Sequence, residues 1–261
     1  MLRRSLILSG ALLFVFIAVS GNAEDGAALK AKALKAWEAR ADMAQALVAA
    51  QTFEQAFRVL PNDPQVGELA VRSWYWLGIN QTDVAKKREY HKKGYDLGQE
   101  VIKVQPKNVG PYYWAASNIS RYAQTLSSME QKMYFTKINP LMNKVKELNP
   151  NYFYGGFPRY MAILTAEMSP PLRKIMATLR SDYSFTLEEA EKSIKEAMAI
   201  QPNYFLNHTT LAEIYIEMGK KPEAKKELDW VLAQDPGVLP DCKPENFFEQ
   251  KRAREMMAKT K

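Results

Sequence analysis

The sequence predicts an all-α protein built as a solenoid of helix pairs, with lengthened middle pairs and a capping helix at the carboxyl end. Three observations carry this expectation. Prolines that close apolar runs recur at Pro61, Pro106, Pro150, Pro202 and Pro236, in phrases as alike as LNPNYF and IQPNYF. Segments of alternating apolar and polar residues, which would mark half-buried strands, are nearly absent. The stretches between the prolines are rich in good helix formers.

The stretch from Pro202 to Pro236 shows one whole unit without gaps, PNYFLNHTTLAEIYIEMGKKPEAKKELDWVLAQDP. Leu211, Ala212, Tyr215 and Gly219 supply a large apolar residue, a small one, an aromatic and a turn glycine. Ala224, Leu228 and Val231 then stand where a second helix packs back on the first. Antiparallel helices at short distance need small residues where the backbones approach, apolar ridges elsewhere and a helix breaker before the next unit. With prolines about 34 residues apart, the unit resembles the tetratricopeptide (TPR) family. The expected fold is therefore a TPR-like helical-hairpin solenoid.

Taken in order, the chain opens with Arg3 and Arg4, an apolar run from Leu6 to Val19, then Gly21 and Ala23 before Glu24 and Asp25. This is the pattern of a signal peptide over residues 1–23, cleaved after Ala23, and it predicts a periplasmic, secreted location. The apolar run is shorter than the roughly 20 residues of a membrane-spanning helix. The net charge of +7 includes Arg3 and Arg4. The remaining excess is mild and predicts no nucleic-acid partner. The single cysteine, Cys242, cannot form an internal disulfide.

A single domain over 24–261 is expected, with units near 27–61, 62–106, 107–150, 151–202 and 203–236 and a cap over 237–261. From Leu29 to Ala50 the alanine-rich sequence predicts helix. Asp63 is placed to cap the next helix, Pro64 to begin it and Gly78 to end it. In the helix over Thr82–Val104, Gly94 and Gly98 share one face and predict close helix packing. The middle units exceed the clean unit's length, which predicts either longer helices or long inter-helix loops on one edge. Gly155 and Gly156 read as a turn into a helix, and Ser169, Pro170 and Pro171 interrupt the fourth unit. Glu245–Lys259 reads as the capping helix.

Carrying the clean unit's register backwards puts Arg72, Tyr75 and Trp76, then Tyr113, Trp114 and Arg121, then Tyr154 and Phe157 on the inner face of consecutive first helices. Such side chains bury much area with little entropy loss, and arginine fixes carboxylates, so this surface suits a peptide or a small apolar or carboxylate-bearing ligand. The same aromatics fit a packed core equally well. His91 and His208 have no companions at metal-ligand spacing, Cys242 stands in no catalytic pattern, and no phosphate-cradling loop or nucleophile elbow occurs. No catalytic residue, metal or cofactor is expected, and the chain is read as a binding protein rather than an enzyme.

The phrases NPNYFYGGFPRYMAILTAEM and QPNYFLNHTTLAEIYIEMGKKPEAKKELDWVL, behind a signal peptide, also resemble the periplasmic T-component of TRAP transporters. That resemblance implies a homotrimeric scaffold with an apolar ligand path, partnered by a periplasmic substrate-binding protein. It adds Arg159 to Arg72 and Arg121 as polar contacts for the ligand. Some members of that family are lipoproteins, and this chain lacks the cysteine for lipidation. The alternative is an adaptor in envelope assembly that binds a protein and no small ligand.

Overall fold

The structure, a computed structural model, describes residues 23–179 and 183–260. The signal segment expected over 1–23 lies outside them except for Ala23. Twelve α-helices follow one another among the described residues, with no strand. They are α1 Ala23–Glu38, α2 Met43–Val59, α3 Pro64–Ile79, α4 Val84–Val104, α5 Val109–Ala123 and α6 Ser128–Leu148. The series continues with α7 Tyr152–Glu167, α8 Pro170–Leu179, α9 Leu187–Ile200, α10 Phe205–Glu217, α11 Lys221–Ala233 and α12 Lys243–Met256. Each helix from α1 to α6 packs on its successor, α7 pairs with α9 and α10 with α11, giving the expected solenoid of hairpins.

The clean unit folds as its residue types require. Leu211, Ala212, Tyr215, Ala224, Leu228 and Val231 are all buried in one cluster. Gly219 turns the chain with φ +74°, and the Lys220 amide donates to the Tyr215 carbonyl five residues back, the bond that closes a helix with a left-handed residue. At the other end α1 and α2 meet through Ala33, Ala36, Ala46, Ala49 and Ala50, all buried.

The continuous helix expected over Leu29–Ala50 is broken. Residues 39–42 form a turn, and the Asp42 side chain accepts from the Ala44 amide to start α2. Alanine-rich sequence favours helix on both sides of this turn, so propensity does not reveal it. Asp63 does cap α3, its Oδ1 accepting from the Gln65 and Val66 amides at 3.0 Å. The surplus length is mostly helix. Helices α4 and α6 each run 21 residues, against 13 in α11, and between α7 and α9 the fourth unit inserts a further helix, α8, which starts at Pro170 within the Ser169–Pro171 break.

Gly94 and Gly98 set the approach of α4 to α5. A Cβ on Gly98 would stand 2.7 Å from the Ala115 Cβ, and one on Gly94 would stand 2.4 Å from the Asn118 amide nitrogen. That amide is committed, donating to the Val71 and Trp114 carbonyls. Gly94→Ala is therefore expected to lower stability by about 2 kcal/mol, in the range for overpacked cores, as measured by urea denaturation.

Candidate functional site

Tyr152, Phe153, Tyr154 and Tyr204 come from the two NYF phrases and meet Tyr113 and Trp114 in one aromatic layer. Its centre is an unusual turn. Phe153, Tyr154 and Gly155 have φ of 49°, 61° and 78°, three consecutive left-handed residues. Gly155 is required there twice over, since a Cβ would also meet the Ala197 Cα at 2.7 Å. The carbonyls of Phe153 and Tyr154 accept from the Arg159 guanidinium at 2.8 and 2.9 Å. Arg159 is fully buried and also donates to the Tyr113 hydroxyl at 3.0 Å.

Arg72 lies in the same layer, over the rings of Trp37, Trp114 and Phe153. Its counter-charge is Glu245 of α12, at 2.8 Å. Arg40 reaches the same carboxylate at 2.6 Å and stacks over Trp37. Burial is the largest single influence and opposes the charge on Arg72, but the Glu245 carboxylate together with smaller contributions from neighbouring groups outweighs it, and the guanidinium is held above its ordinary range.

Beside this layer opens a cavity of about 550 Å³ on the concave side of the solenoid. Tyr75 and Ile79 of α3 line it, as do Tyr113, Ser117 and Arg121 at one-turn spacing on α5, and Tyr160 and Ile163 on α7. Leu206 and Tyr204 close the far side, and α12 lies along one wall with Glu245, Phe248, Glu249 and Arg252. The size suits a small organic ligand.

The charges on the wall are mostly paired. Arg121 binds Glu167 at 2.7 Å, and this carboxylate is the main reason its guanidinium is held up. Arg252 is paired with Glu213 and, at 3.2 Å, with Glu249. Lys87 alone among the lining cations has no acceptor within ion-pair distance among the described residues. His91 is fully buried, and burial holds its imidazole down at about 4 although Asn118 bonds it. Asn118 spends its amide hydrogens on two carbonyls, so its oxygen faces His91 Nδ1 at 3.0 Å and Nδ1 carries the proton.

The residues singled out from the sequence divide into two groups. Tyr75, Tyr113 and Arg121 line the cavity. Trp76, Trp114, Arg72 and Arg159 are buried in the filled layer, where Trp76 Nε1 donates to the Arg40 carbonyl and Trp114 Nε1 to the Tyr152 hydroxyl. Tyr154 packs on Phe153 and Tyr204, and Phe157 meets Lys146 of α6; neither lines the cavity. The inner face is thus part lined cavity and part core. Lys87, Tyr160 and Phe248 escaped the sequence reading. Tyr160 was within reach, one turn after Phe157, whereas nothing local ties Phe248 to residues far earlier in the chain.

Among the described residues no cluster of three or more His, Cys, Asp or Glu side chains is placed to hold a metal. None of the described helices is long and apolar enough to cross a membrane. Burial pushes the Cys242 thiol up to about 11, which leaves it protonated.

The helix pairs and their concave cavity define a TPR-like solenoid. The crystal structure of a thermophilic TPR protein of Thermus thermophilus has the same fold, with TM-score 0.50 and 20% identity over 88% of this chain and 95% of that one. No curated protein sequence matches the chain. The chain belongs to the family of regulator of microtubule dynamics proteins 1-3, which it matches over residues 29–260. Membership of the transporter T-component family is not shown.

Proposed function

We propose that the protein is a TPR-type binding scaffold that holds a small apolar, carboxylate-bearing ligand in its concave cavity and acts on a protein partner. The observation that carries the ligand is the pairing of aromatic walls with one unneutralised cation, Lys87. Membership of a family named for regulators of microtubule dynamics supports action through another protein. In the narrower form drawn from the T-component resemblance, the protein is exported after loss of residues 1–23, the assembly is a homotrimer and the partner is a periplasmic substrate-binding protein.

A dansyl-labelled medium-chain carboxylate and its methyl ester test the ligand reading by fluorescence titration. Lys87→Ala should weaken the carboxylate about tenfold, equivalent to about 1.4 kcal/mol, and leave the ester nearly unchanged. Equal binding of the acid by both proteins would sink it. Native mass spectrometry and amino-terminal sequencing of the protein from its own cells decide the trimer and the cleavage. A protein-only adaptor is the second reading, favoured by one observation: α12 lies along the concave wall, so that surface already accepts a helix.

A further inference from the structure

The two ends of the solenoid meet on one side chain. Glu245 binds Arg40 and Arg72, residues 205 and 173 positions away in sequence. Phe248 stands edge-on to Trp76 with ring centroids 6.4 Å apart, and Arg40 also donates to the Asp241 carbonyl.

The opposite face of α12 is held in a different way. Ala253 and Met256 are buried against the second apolar cluster. Gln250 donates to the Val231 and Gln234 carbonyls, and Asn246 to the Pro236 carbonyl. One side of α12 thus combines an apolar interface and backbone bonds with the Arg252–Glu213 ion pair, whereas the other has a charge cluster and a single ring contact without a buried apolar seam. Such a charge cluster is costly to desolvate, so it adds less net adhesion than apolar packing does.

We propose that this weaker seam is a latch: the α10–α12 end parts from the α1–α3 end when Glu245 leaves Arg40 and Arg72, and the concave cavity opens between them. The latch follows from the asymmetry of α12 and does not depend on which ligand the cavity takes. Cys242 reports on it. The thiol is fully buried and stands close enough to Glu245, Arg72 and Arg40 to feel their charges, with Tyr154 of α7 also bonded to it. Parting of the seam therefore uncovers the one cysteine of the chain.

The experiment is the rate of Cys242 labelling by a disulfide reagent across low urea concentrations. In the unaltered protein, labelling should proceed through an opening whose urea dependence is well below that of global unfolding. Glu245→Gln should speed labelling at least about tenfold, beyond any change in global unfolding. Glu213→Gln, which removes one of the two carboxylates that hold Arg252 on the other side of α12, should leave the rate within about twofold of normal. Labelling with the full urea dependence of global unfolding, or equal acceleration by both variants, overturns the latch.

Discussion

Arg159→Met is expected to destabilise the protein by about 3–5 kcal/mol, the largest loss among the substitutions considered. Methionine fills much of the volume and removes a buried charge, which on its own would favour the variant. The loss comes from what the guanidinium leaves behind. The Phe153 and Tyr154 carbonyls have their bonds to the fully buried Arg159 in a half-buried turn, and each group left unsatisfied away from water costs about 1–3 kcal/mol. Those carbonyls belong to residues in left-handed conformation, each strained by about 1–2 kcal/mol. Without Arg159 the turn has less to hold it against that strain. Equilibrium urea denaturation checks the value, and a loss below about 1 kcal/mol would mean that Arg159 does not hold the turn.

The second large effect is a loss of stability on acidification through His91. Its folded value of about 4 lies below the ordinary 6.5. The unfolded chain therefore takes up a proton before the folded one does. Stability is intact above about 6.5, falls as the pH drops towards about 4, and changes no further through this residue below that. The span corresponds to about 3 kcal/mol. His91→Gln should be less stable at neutral pH but should lose most of that slope. Urea denaturation at a series of pH values separates the two, and an unchanged slope in the variant would assign the acid sensitivity elsewhere.

The repeat was legible because it is written locally. Proline spacing, the Leu211–Ala212–Tyr215–Gly219 series, the Asp63 cap and the Gly94–Gly98 face all follow from contacts within one helix pair. What escaped was either conformation against propensity or contact across the chain. Phe153 and Tyr154 adopt backbone angles that bulky residues rarely take, and only the adjacent Gly155 hinted at a turn. The α1–α2 break lies among helix formers. For the candidate site, register alone found Tyr75, Tyr113 and Arg121. It could not separate them from neighbours such as Trp76 and Trp114, because α12 walls the cavity with Glu245, Phe248, Glu249 and Arg252, and its contacts to Arg40, Arg72 and Trp76 reach across the chain with no sequence periodicity.

The meeting of Glu245 with Arg40 and Arg72 also orders events during synthesis. The two arginines leave the ribosome long before the carboxylate that neutralises them. Until α12 is made, both guanidiniums belong to a surface that must stay hydrated, so the amino-terminal helices wait unsealed while the middle of the chain folds. Closing so distant a contact is slow by comparison with hairpin formation between neighbouring helices. Helix α12, made after the eleven helices before it, thus completes the first ones, and a chain ending before Glu245 would leave its amino-terminal helices the least finished.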